Sequence, residues 1–128
     1  MKNHVYVQAR EDSKRFPKKI LKKICGKTIT DIILERIQKI EDVDEVFLVT
    51  GSERLNKTLI EEFKMKKIDY FSGSDENVLD RFFQASKKFG SENIIRITGD
   101  NPLLDFTIID KGIKQFLDSD YDILSNNR

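Results

Sequence analysis

Apolar residues fall along this chain in two alternating rhythms. Short runs rich in β-branched and aromatic residues read as strands: His4 to Gln8 (HVYVQ), Glu45 to Thr50 (EVFLVT), Ile68 to Phe71 (IDYF), Ile94 to Thr98 (IIRIT) and Asp122 to Leu124 (DIL). Between them apolar residues recur at helical spacing. Ile29, Ile33, Ile37 and Ile40 form one stripe, and Leu55, Leu59 and Phe63 a second. Val78, Phe82 and Phe89 form a third, with Leu79 and Phe83 alongside and Ser74 as its predicted N-cap. Ile109, Ile113 and Phe116 form a fourth, capped by Asp105. Helical stripes alternating with strands predict βαβ crossovers and a mainly parallel sheet between two layers of helices.

Length and composition narrow this picture. The 128 residues suit one core, so residues 1–128 are read as a single unit. The 23 Lys and Arg nearly cancel the 22 Asp and Glu, so no basic footprint for nucleic acid is expected. No run approaches the ~18 apolar residues of a membrane span, and the N-terminus lacks an apolar leader, so a cytoplasmic protein is expected. Cys25, the one cysteine, fits a reducing compartment and reads as an ordinary semi-buried thiol. His4, the one histidine, reads as structural or exposed rather than catalytic.

Candidate chemistry collects where strands end. Open α/β sheets bind ligands outside the carboxyl ends of their strands. Three such ends carry polar text: Arg10 to Lys19 (REDSKRFPKK), Gly73 to Arg81 (GSDENVLDR) and Thr98 to Pro102 (TGDNP). Arg10, Ser13, Arg15, Lys18 and Lys19 offer forked and point-like donors for an anion, or form a solvated loop. The P-loop and dinucleotide glycine patterns are absent. Asp100 is either a carboxylate for a metal bound to phosphates or a turn residue accepting backbone N–H bonds. Asn101 can cap the same turn or hold a hydroxyl, and Pro102 biases it toward extended backbone. Arg96, inside a strand, must be paired, ligand-facing or on an uncovered margin. Ser74, Asp75, Glu76 and Asn77 suit a helix cap with acids in its first turn, or a functional loop, and Asp80 and Arg81 can equally form a surface pair.

Four blocks of this text resemble the sugar-acid cytidylyltransferase superfamily, most closely its branch of spore-coat polysaccharide biosynthesis proteins. QAREDSKRFPKKILKKICGKTI resembles the family's AR-x-x-S-x-R-x-P-x-K opening. FSGSDENVLDRFFQA resembles its G-S-x-x-x-V-L-D-R-F block, RITGDNPLLD its R-x-T-G-D-x-P-L-x-D block, and DYDILSNN the strand and Ser-Asn that follow. The resemblance implies a Rossmann-like nucleotide-diphospho-sugar transferase fold, here its N-terminal part. It also implies an enzyme that joins CTP to a sugar acid, releasing pyrophosphate and forming a CMP-sugar for surface polysaccharide.

By that resemblance Arg10 and Lys19 hold the triphosphate, Ser13 and Arg15 shape the loop, and Asp100 ligates Mg²⁺. Ser74, Asp75 and Asn77 lie near the nucleoside, and Arg96 and Asn101 line the same pocket. Asp12 and Lys18 depart from the branch, which commonly has Gly at both positions. Relatives of about twice this length are expected to place the sugar-acid pocket, a second metal carboxylate and the homodimer element in the remaining half. Two rival readings are a glycosyltransferase using a nucleotide-sugar donor and a nucleotide-binding fragment without chemistry. The first usually carries an Asp-x-Asp pair, which is not found near the fourth strand.

Overall fold

The computed structural model describes residues 2–10, 23–99, 105–120 and 122–124. Strands β1 (Asn3–Gln8), β4 (Glu45–Thr50), β5 (Tyr70–Ser72) and β6 (Asn93–Thr98) form one sheet in the order β5-β4-β1-β6. Every pairing in it is parallel: Val5 lies opposite Val46 and Ile95, and Val49 opposite Phe71. The chain steps from β1 outward to β4 and β5, then crosses back over β1 to β6. The strand order therefore reverses beside β1, the place where such sheets open a crevice at their carboxyl edge.

Side-chain alternation assigns the two faces of the sheet. Val5, Val7, Leu48 and Ile97 pack with Ile33 and Ile37 of α1 (Ile29–Ile37) and with Leu59 and Phe63 of α2 (Lys57–Met65). Ile109 of α4 (Phe106–Leu117) joins that layer. On the other face Tyr6, Phe47 and Val49 meet Phe82, Ala85 and Phe89 of α3 (Val78–Phe89). The expected three layers are present, and each predicted stripe falls on a helix except for Ile40, which follows α1, and Leu55, which precedes α2.

The local signals that start and stop these helices are specific. Thr28 and Asp31 close a capping box on α1, and Asp105 caps α4 as the sequence predicts. For α3 the cap is Asn77, whose side chain accepts from Asp80 N, and not Ser74. Ser74 instead accepts N–H bonds from Glu76 and Asn77, folding the loop back before the helix begins. Gly90 ends α3 at φ 63°, a left-handed stop that glycine adopts without penalty.

Three further expectations need correction. Asp122–Leu124 forms no strand: a strand exists through its ladder, and none of the described residues pairs with it. The third strand is shifted to Tyr70–Ser72, because Lys67 turns at φ 61° and Ile68 still belongs to that turn's exit. Before α1 lies an unforeseen hairpin, β2 (Lys23–Ile24) and β3 (Lys27–Thr28). Its two-residue turn has φ 54° at Cys25 and 81° at Gly26, both positive as a type I′ turn requires. Turning there leaves Cys25 exposed rather than semi-buried.

Candidate functional site at the carboxyl edge of the sheet

The ends of the four parallel strands are stitched together by backbone bonds one step beyond the ladder. Ala9 N donates to Val49 O at 3.4 Å, Gly73 N to Thr50 O at 3.1 Å, and Gly99 N to Gln8 O at 2.8 Å. The loops after β1, β5 and β6 therefore depart from one fixed edge. Gly99 is required there, since a Cβ would lie 2.6 Å from Ala9 Cβ and 3.3 Å from Gln8 O. The backbone just before Asp100 is thus fixed beside the backbone just before Arg10.

Of the residues singled out in the sequence, Arg10, Ser74, Asp75, Asn77 and Arg96 are described. Ser13, Arg15, Lys19, Asp100 and Asn101 lie outside the described residues, as do Asp12 and Lys18. Arg10 is exposed at the end of β1, and its charge reaches Asp75 across the sheet edge. Asp75 accepts the Ser52 N–H at 2.7 Å. That bond, with the nearby charges of Arg81 and Arg10, holds its carboxyl below the usual carboxylate range.

Arg96 is on the margin of the sheet, exposed on the edge strand. Its Nε donates to Gln8 Oε1 at 2.5 Å, and its guanidinium sits 5.8 Å from the Phe82 ring centroid. A neighbouring amide and an aromatic face hold this charge at the rim of the same edge. Asn77 spends its side-chain oxygen on the α3 cap.

Two features of the edge escape the sequence reading. One is the turn after β4: Gly51 and Ser52 receive Asp75, and a Cβ on Gly51 would collide with Asp75 Oδ1. The other is Arg81, which is buried with 1% of its surface exposed. Its Nε and Nη2 donate to Ser74 O at 2.9 and 2.7 Å, and Nη2 reaches Asp75 O at 3.4 Å. It is no surface partner of Asp80. The signal was available, because Arg81 stands three residues after Val78 and four before the buried Ala85, on the inner stripe of α3.

Elsewhere the structure offers less chemistry. A cavity of about 660 Å³ opens at the opposite, amino-terminal end of β4, beside Glu45, Phe47, Lys66 and Asp69. Lys66 and Asp31 at its wall pair with each other, so it presents little unbalanced charge. His4 is buried, edge-on to Phe47 with Nδ1 2.7 Å from Ser91 Oγ, in keeping with a structural histidine. Among the described residues no cluster of His, Cys, Asp and Glu could by itself hold a metal ion, and no helix is long and apolar enough to cross a membrane.

Comparison with known proteins agrees with this architecture. The chain is 32% identical to the spore coat polysaccharide biosynthesis protein SpsF of Bacillus subtilis, over 94% of this chain and 52% of that one. It is 32% identical to a 3-deoxy-manno-octulosonate cytidylyltransferase of Hydrogenovibrio crunogenus, over 95% and 50% of the two chains. A solved cytidylyltransferase from Leptospira borgpetersenii superposes with a TM-score of 0.86 at 32% identity, covering 94% of this chain and 50% of its own. The chain thus spans about half the length of these relatives. A family model described as cytidylyltransferase matches residues 5–128. With the parallel Rossmann-like sheet and the polar loops at its carboxyl edge, that match makes the chain a member of the cytidylyltransferase family.

Proposed function

We propose that this chain forms the nucleotide-binding part of an enzyme that transfers the cytidylyl group of CTP to a sugar acid, for surface polysaccharide synthesis. The observation that carries the reading is the sheet edge itself. The Gly99–Gln8 bond and the Gly99–Ala9 contact bring the residue after β6 beside the residue after β1. A carboxylate, Asp100, thereby follows one strand end while a guanidinium, Arg10, follows its neighbour.

That pairing suits a metal-bound polyphosphate. Magnesium binds one or two carboxylates together with phosphate oxygens and water, so a carboxylate at a strand end opposite a basic loop fits it. Bound there by Asp100, Mg²⁺ would supply electrostatic stabilisation of charge on the phosphate oxygens. Arg10 and Lys19 hold the triphosphate from the other side, with Ser13 and Arg15 shaping their loop. Ser74, Asp75 and Asn77 border the nucleoside, and Arg96 and Asn101 complete the rim.

A hydroxyl oxygen of the sugar acid forms the new bond to the α-phosphorus. The bond from that phosphorus to the bridging oxygen breaks, pyrophosphate leaves with the bond's electron pair, and the hydroxyl proton passes to solvent. The protein's contribution is alignment and charge neutralisation, with no covalent intermediate.

The test is pyrophosphate release by the full-length protein with CTP, Mg²⁺ and a panel of sugar acids, beside calorimetric titration of the four nucleoside triphosphates. Asp100→Asn is expected to weaken Mg²⁺-dependent CTP binding at least about tenfold, the scale of one lost charge-assisted contact. Absence of pyrophosphate release from every triphosphate and acceptor would refute the assignment. Equal Mg²⁺-dependent affinity in Asp100→Asn would refute the role given to that carboxylate.

A further inference from the structure

We propose that Arg81, which touches no substrate in this arrangement, is a positioning residue that makes the Gly73–Asn77 loop selective for the nucleobase. The inference rests on the nucleotide-binding reading above and assigns a residue to its selectivity.

Burying a guanidinium costs several kcal/mol unless its donors are satisfied. The rest of the inner stripe of α3 is apolar or small, so packing alone would be served as well by a leucine or methionine. What Arg81 does instead is bind two successive backbone carbonyls of the loop, those of Ser74 and Asp75. A planar fork that grips two carbonyls fixes the orientation of two peptide planes.

The other contacts of the loop leave it little freedom to evade that grip. Gly73 is tied to Thr50 O, the Ser72 hydroxyl to Gly51 O at 2.6 Å, and the Asp75 carboxylate to Ser52 N. Gly73 is closed by the Phe71 ring and then by the arginine stem: a Cβ there would lie 2.7 Å from Phe71 Cε1 and 3.1 Å from Arg81 Cγ.

The orientation that results is chemically informative. Across a trans peptide the N–H points opposite to the preceding C=O, and no peptide here is cis. With the Ser74 carbonyl turned toward the guanidinium, the Asp75 N–H faces away from it, and it donates to no described residue. A fixed outward donor at a strand end suits the ring acceptors O2 and N3 of cytosine. Uracil differs by presenting a donor at N3. Without the fork, the Ser74–Asp75 peptide can rotate and the donor loses its aim, while phosphate contacts from the first loop are untouched.

The experiment is titration of the full-length protein with the four nucleoside triphosphates and with inorganic tripolyphosphate, in Mg²⁺, for the unaltered protein and Arg81→Ala. The expected result is an affinity for CTP lowered about tenfold or more, with preference over UTP reduced to within about twofold. Tripolyphosphate affinity stays unchanged. Arg81→Lys, which keeps the charge but cannot fork across two carbonyls, is expected to fall between. If Arg81→Ala does not fold, Gly73→Ala perturbs the same contact from the loop side and should cause the same loss of selectivity. Retained base preference in whichever of these variants folds overturns the inference alone, as does equal loss of CTP and tripolyphosphate binding. Unaltered protein that binds no nucleotide, or binds all four bases equally, overturns it as well, and the first of these outcomes also removes the nucleotide-binding reading.

Discussion

Gly99 illustrates how one missing methyl positions a site. Its hydrogen serves as the contact surface against Ala9, and no positive φ is involved, so its role is close approach rather than backbone freedom. Gly99→Ala would place a carbon 2.6 Å from Ala9 Cβ, well inside contact distance, and β6 must yield at its carboxyl end. Overpacking of this kind costs about 1–3 kcal/mol. We expect Gly99→Ala to lose that much stability in urea denaturation and, on the proposed function, to weaken nucleotide binding, because the strand end that leads into the third loop is displaced. Ala9→Gly in the same chain removes the colliding carbon and should restore most of both. A double variant no more stable than Gly99→Ala alone would show that the Gln8 carbonyl, and not Ala9, sets the approach.

At the scale of elements, β6 is the edge of the sheet among the described residues, and its ladder fixes which amides are open. Asn93 N donates to Lys2 O and Gly99 N to Gln8 O, so residues of the same parity point toward β1. The N–H groups of Ile94, Arg96 and Thr98 therefore face outward, where no described strand pairs with them. Hydrogen exchange should find these three amides fast, and those of Ile95 and Ile97 between them protected. Uniform protection along β6 would mean that another segment covers the edge. The edge also marks where sequence reading succeeded and where it stopped. Period-two and helical patterns made four strands and all four helices legible, since burial on a face leaves a repeat in the text. Asp122–Leu124 has strand-like residues, but a strand needs a partner that local text cannot supply. The Cys25–Gly26 hairpin was missed because only two residues pair on each side. The candidate site was legible as loops and not as contacts. Asp75 was named, yet its placement depends on Ser52 and on a buried Arg81, and a dipeptide such as Asp80–Arg81 gives no hint of which member turns inward.

Over the whole molecule, a few carboxylates at helix caps and loop ties link the stability of this fold to pH. Asp31 lies below its ordinary value through Lys66 foremost, Asp75 through the Ser52 N–H, and Asp105 through Thr107 at the α4 cap. A carboxyl whose folded value is lowered contributes stability that is full above its unfolded value, 3.8 for these groups, and is lost as pH falls through the folded value. Lys27 and Lys114 shift upward through Glu35 and Glu41, so their contribution is full below 10.5 and fades as pH rises past it. Between those limits stability should be flat. Below them a second effect adds, since protonating the 22 acids leaves the 23 basic side chains unopposed. Urea midpoints are therefore expected to hold steady from about pH 5 to pH 9 and to drop steeply below about pH 4. Asp31→Asn should be less stable than the unaltered protein at neutral pH and should close the gap as pH falls, because the ion pair with Lys66 is already absent. Parallel acid limbs for the two proteins would show that general charge repulsion, and not the placed carboxylates, sets the acid limit of this fold.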